Sequence, residues 1–117
     1  MTAAVWFSAK VRTVCLVETV NATSFMDTIF VFQATDFKHA LVRAIELGKK
    51  TEEEYLNVSN QLVKWRLKEV VSLDMIRNES LDGAEVYSES FEVPENENIP
   101  FDSEFHPELS QPLHTGI

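Results

Sequence analysis

Glu85, Tyr87, Glu89 and Phe91 stand at every second position of "AEVYSESFEV", residues 84–93. In a strand, that period brings all four to one face. Two carboxylates beside a phenol are the raw material of general acid–base catalysis. The same carboxylates would serve as cross-strand partners for Lys64, Arg66 and Lys68. No histidine stands near them at an informative spacing, so the structural role is the expectation.

The other chemistry-bearing residues are few. Cys15 is the only cysteine, so no internal disulfide can form. A Cys15–His39 nucleophile–base pair is conceivable. Cys15 falls on the apolar parity of its segment, however, where an inert core thiol is expected. His39, His106 and His114 match no zinc-ligand spacing and read as surface residues. Of the three glycines, Gly48 and Gly83 have expected uses as a helix stop and a turn, and no phosphate-cradling loop is left. The chain is expected to be non-enzymatic, with no catalytic residue, cofactor or metal.

The elements that would position these residues can be read from hydropathy periods. Residues 5–18 alternate: Phe7, Ala9, Val11, Cys15 and Val17 on one parity, Ser8, Lys10, Arg12 and Glu18 on the other, as in a half-buried strand. "NATS", 21–24, reads as a turn, and the aromatic, β-branched run 25–34 as a second strand. Thr35 or Asp36 suits an N-cap. Phe37, Ala40, Leu41, Ala44 and Ile45 then follow helical spacing up to Gly48. "TEEEYLNVSN" is polar and reads as a connector. Residues 61–76 alternate again, with Val63, Trp65, Leu67, Val71, Leu73 and Met75 opposite Lys64, Arg66 and Lys68. Glu69 interrupts the apolar side, so a bulge or a partner charge is expected there. Asp82–Gly83 is a turn signal before the run 84–93, expected as the fourth strand. The order β-β-α-β-β predicts an α+β fold, one antiparallel sheet with the helix on one face.

The 117 residues, 44% hydrophobic and 25% charged, fit a single globular domain. The N-terminus lacks the basic region of a signal peptide, and no run approaches the ~18 apolar residues of a membrane span. A cytoplasmic location without membrane contact is expected. The Asn-x-Ser/Thr triplets at Asn21, Asn57 and Asn78 then read as turn residues. The net charge of −9 argues against general nucleic-acid binding. The charge is uneven. Residues 1–93 hold ten cations against fourteen acids, giving −4, whereas 94–117 hold five acids and no cation, giving −5. The expected organisation is a domain over 1–93 and an acidic, proline-containing tail over 94–117.

"WFSAKV" near the N-terminus, "ELGKK" at the helix end, "YLNVSNQLVKWRLKEVVSL" with Tyr55, Asn57, Val63 and Trp65, and "LDGAEVYS" follow one another in an order that resembles the bacterial domain-of-unknown-function family numbered 4288. The likeness covers about residues 5–91. It implies a small cytosolic α+β domain and carries no activity, substrate or site residue.

One grouping suggests binding. Lys10, Arg12, Lys64, Arg66 and Lys68 all occupy polar parity, so a helix on the apolar side would leave them on the open face. Trp6 at its edge would add an aromatic anchor. Phe101 and Phe105 in the tail are further candidates, because a wholly solvated tail rarely needs two phenylalanines. The expected function is a protein-interaction module, such as an immunity-type inhibitor of a toxin or another regulator. The alternatives are a nucleic-acid or nucleotide binder using the basic face, and an uncharacterised enzyme. The tail is expected to dock on its own domain or on a second copy, which would make a homodimer.

Overall fold

The computed structural model describes residues 3–77, 80–87 and 92–113. Its elements are β1 (Val5–Val17), β2 (Asn21–Ala34), α1 (Phe37–Lys49), β3 (Glu53–Leu56) and β4 (Leu62–Met75), with a 3-10 turn at Pro107–Leu109. The strands form one antiparallel sheet in the order β2-β1-β4-β3. The α+β class and the β-β-α-β-β order are as the sequence predicts.

One strand is not the expected one. The fourth strand is Glu53–Leu56, inside the segment read as a connector, and residues 84–87 are not a strand. Of the rest of the expected strand, 92–93 are not strand either, and 88–91 lie outside the described residues. Asn57 explains the substitution. Its Oδ1 accepts the backbone N–H groups of Ser59 at 3.0 Å and Gln61 at 2.9 Å, a side-chain mimic of a backbone turn. That turn folds Leu56 back onto Leu62 and starts the β3–β4 pairing. The β1–β2 turn also moves, from the expected 21–24 to Glu18–Val20. Thr19 at its centre and Asn21 just after it take φ 70° and 76°, and asparagine tolerates the left-handed region well.

The core lies between the sheet and α1. Phe7, Ala9 and Val11 of β1, Phe32 and Ala34 of β2, and Ala40 and Ala44 of α1 are buried together. Phe7 stacks on Phe32 at 6.3 Å between centroids and takes Phe37 edge-on at 5.1 Å. Asp36 caps the helix by accepting the His39 N–H at 2.7 Å. The buried helix face is Ala40, Ala44 and Gly48, spaced four apart. These small residues let the helix sit close, and Leu41 and Ile45, expected inward, are exposed. Gly48 lies inside the helix rather than at its stop. A Cβ there would stand 2.8 Å from Leu67 Cδ1, so close approach to β4 is what glycine provides.

Two β-bulges set the faces of β4. Its pairing with β1 slips between Lys10 and Val11 and again between Arg12 and Thr13, leaving Val71 and Lys68 as the extra residues. Each bulge inverts the alternation, and the second restores it. Between them Val70, not Val71, joins the core, and Glu69 turns to the opposite face. The interruption at Glu69 is thus a register effect. Trp65 lies on the helix side as expected but only half-buried, beyond the core cluster, with Nε1 donating to the Tyr55 hydroxyl at 3.2 Å.

Candidate partner-binding face

Antiparallel partners point to the same face of a sheet, so the register places the side opposite the helix. It carries Trp6, Ser8, Lys10 and Arg12 from β1, Phe25, Asp27, Ile29 and Val31 from β2, and Lys64, Arg66 and Glu69 from β4. Lys68 sits at a bulge beside them. Four of the five expected cations therefore share this face and Lys68 borders it, with Lys64 at its far end opposite Leu16.

They do not form a bare basic patch. Arg12 forks onto Asp27, with Nε to Oδ1 at 2.8 Å and Nη2 to Oδ2 at 3.0 Å. Lys10 approaches the same carboxylate at 3.6 Å. Glu69 lies 3.5 Å from Arg12 and 3.6 Å from Lys68. Arg66 pairs with Glu54 and donates to the carbonyl oxygens of Glu53 at 3.3 Å and Trp65 at 3.1 Å. Among the described residues, carboxylates from β2, β3 and β4 itself pair with these cations, and Glu89 of the expected run lies outside those residues. Glu52 reaches past the end of β3 and accepts the Leu67 N–H at 2.9 Å, where no further strand backbone pairs. The Arg12 hydrogen bond holds the Asp27 carboxyl below its usual 3.8; partial burial opposes this, and attraction to Arg12 and Lys10 reinforces it.

Phe25 is an exposed aromatic of this surface, and the Tyr87 ring lies 5.0 Å from the Lys10 ammonium further along it. Phe25 itself is 57% exposed. The Arg12 guanidinium carbon lies 5.5 Å and the Lys68 ammonium 5.8 Å from its centroid, the distance range of cation–π attraction. The sequence reading missed it because the polar parity of β2 becomes visible only through its register with Arg12. Trp6, the aromatic that was expected, shares the face but lies four residues from Lys10, about 13 Å along the strand. It lines a separate hollow of about 460 Å³ with Gln33, Met75, Ile76 and Arg77. Lys64 lines another, of about 320 Å³, with Leu16 and Leu62 at the other end.

The face is not open along its whole length. Ser8 is 1% exposed although it points away from the helix. The chain after β4 crosses there, and Lys10 donates to the Tyr87 hydroxyl at 3.2 Å. Glu85 lines a cleft of about 270 Å³ with Asp74, Arg77 and Tyr87, while Glu89 and Phe91 lie outside the described residues. Phe101 and Phe105 stand in solvent, at 107% and 69% exposure, and the structure does not bring them to the sheet.

The remaining candidates separate. Cys15 is buried near the far end of β1. His39 follows Ala34, which pairs with Val5, ten residues and about 33 Å of strand away. Its Nδ1 accepts the Thr35 N–H at 3.1 Å, so it finishes the helix start and does not serve Cys15. Among the described residues no three His, Cys, Asp or Glu side chains group as a metal site. No helix among them is long and apolar enough to cross a membrane.

Residues 6–88 match the family model described as Domain of unknown function (DUF4288). That span is most of the chain, and the protein belongs to this family. No curated protein and no solved structure matches it.

Proposed function

We propose that the domain is a non-enzymatic protein-interaction module that binds another protein through the part of its sheet face around Phe25, Arg12 and Lys68. The observation that carries this reading is the exposed Phe25 ring held between two cations whose charges are already compensated by Asp27 and Glu69. Protein interfaces favour aromatic and arginine side chains over bare charge. Nucleic acid requires uncompensated cations facing its phosphates, and the carboxylates set among these five counter that alternative. An inhibitor or regulator would act by occupying its target with this surface.

The test is affinity capture with the full chain from the native cell, with nuclease treatment. The wild type should retain a stoichiometric protein, and Phe25→Ser combined with Lys68→Glu should lose it by at least about tenfold, the effect of one hot-spot contact of ~1.4 kcal/mol. Capture of the same protein by the variant, or of nucleic acid alone, would overturn the reading.

A further inference from the structure

The two edges of the sheet differ. β3 is an edge of four residues and carries Glu53 and Glu54. Short length and charge are how natural sheets prevent an edge from pairing with another chain. β2 is an edge of fourteen residues, Asn21–Ala34, that pairs with β1 and has no second neighbour among the described residues. It contains no proline, no glycine and no lysine. Its one charged residue, Asp27, is held by Arg12 and Lys10 of β1. The protective charge of this edge is thus neutralised within the sheet. Phe25 and Ile29 on one face and Met26 on the other are exposed beside it.

We propose that β2 pairs antiparallel with β2 of a second copy of this chain, joining two four-stranded sheets into one of eight strands. A second copy fits this edge better than the chain's own tail. The tail carries prolines at 94, 100, 107 and 112, each lacking the donor a ladder needs. β2 presents no net charge to repel its twin. A two-fold axis at Thr28 would set Phe25 opposite the partner's Val31 and Met26 opposite the partner's Phe30, aromatic pairings of the kind that stabilise antiparallel strands. The contact is isologous. The outer edges that remain are the short acidic β3 and the stretch of β4 beyond it, which carries Lys68, Glu69 and Asp74 and two bulges, features that oppose edge pairing, so assembly closes at two. This inference does not rest on the proposed function: edge pairing goes through the backbone of β2 and doubles the face that carries Arg12 and Lys68, and Phe25 is the residue the two readings share.

Sedimentation of the full chain should give twice the monomer mass of 13.4 kDa at tens of micromolar and above. Ile29→Lys with Val31→Lys, placing cations on exposed positions of the edge, should return it to monomer with unchanged circular dichroism. Amide exchange supplies a second reading. In a monomer only alternate β2 amides are bonded to β1. In the dimer the intervening amides should gain at least about tenfold protection as concentration rises. A chain that stays monomeric to the millimolar range would overturn the proposal. So would a dimer that survives the double substitution, or protection that does not depend on concentration. Lys68→Glu, off this edge, should leave the mass unchanged, so a failed dimer and a failed partner face are told apart.

Discussion

Arg12 of β1 grips Asp27 of β2 through two parallel hydrogen bonds, 2.8 and 3.0 Å long. This fork sits at the centre of the face and fixes the plane against which Phe25 lies. It is partly exposed, so its contribution is expected to stay under about 1 kcal/mol. The sign of its pH dependence follows from the depressed carboxyl. Stability from the pair is present above the usual 3.8 and is lost as pH falls through the lower folded value. Urea titrations of wild type and Asp27→Asn should differ at pH 7 and converge in acid.

Val70 and Val71 separate the bulged register from simple alternation. Val70 packs on the core, and Val71 is 40% exposed. Val70→Lys should cost several kcal/mol, since a charge would enter apolar packing. Val71→Lys should stay within about 0.5 kcal/mol. Unbroken alternation from Val63 predicts the reverse order, so one pair of melting curves decides between them.

Phe7 and Trp65 are both aromatic residues on the helix side, with different burial. Phe7→Ala should cost about 3–5 kcal/mol, as a fully buried ring does. Trp65→Ala should cost about 1–2 kcal/mol, because it is only partly buried and lies outside the core cluster. Equal losses in denaturant melts would contradict the core as drawn.

Arg66 ties β3 to β4 through Glu54 and the Glu53 carbonyl. Arg66→Glu should speed amide exchange across Glu53–Leu56 while leaving the Phe7–Phe32 core amides as they were. Unaltered exchange there would show that β3 is held by its backbone alone.

The sequence reached the fold class through two periods, alternation in 5–18 and 61–76 and helical spacing from Phe37. It missed β3 because four residues with consecutive glutamates carry no readable alternation, and the turn that makes them a strand is set by Asn57 downstream. Parity alone places Lys10, Arg12, Lys64 and Arg66 on one face, whereas Lys68 reaches it from a bulge. The sequence could not show that Asp27, Glu54 and Glu69 would compensate these cations. That depends on which strands are neighbours and on two bulges, neither of which leaves a local signal apart from the misplaced charge at Glu69. Phe25 was hidden for the same reason, in a segment where nearly every residue is apolar.

The central claim is that another protein occupies the Phe25–Arg12–Lys68 surface, and position-specific photocrosslinking in the native cell tests it most directly. With a photoreactive amino acid at Lys68, the account predicts one discrete adduct to a different protein, heavier than the chain by a mass other than its own 13.4 kDa. The same probe at Leu41, on the outward side of α1, should give none of it. No adduct at Lys68, or the same adduct from both positions, would contradict the account.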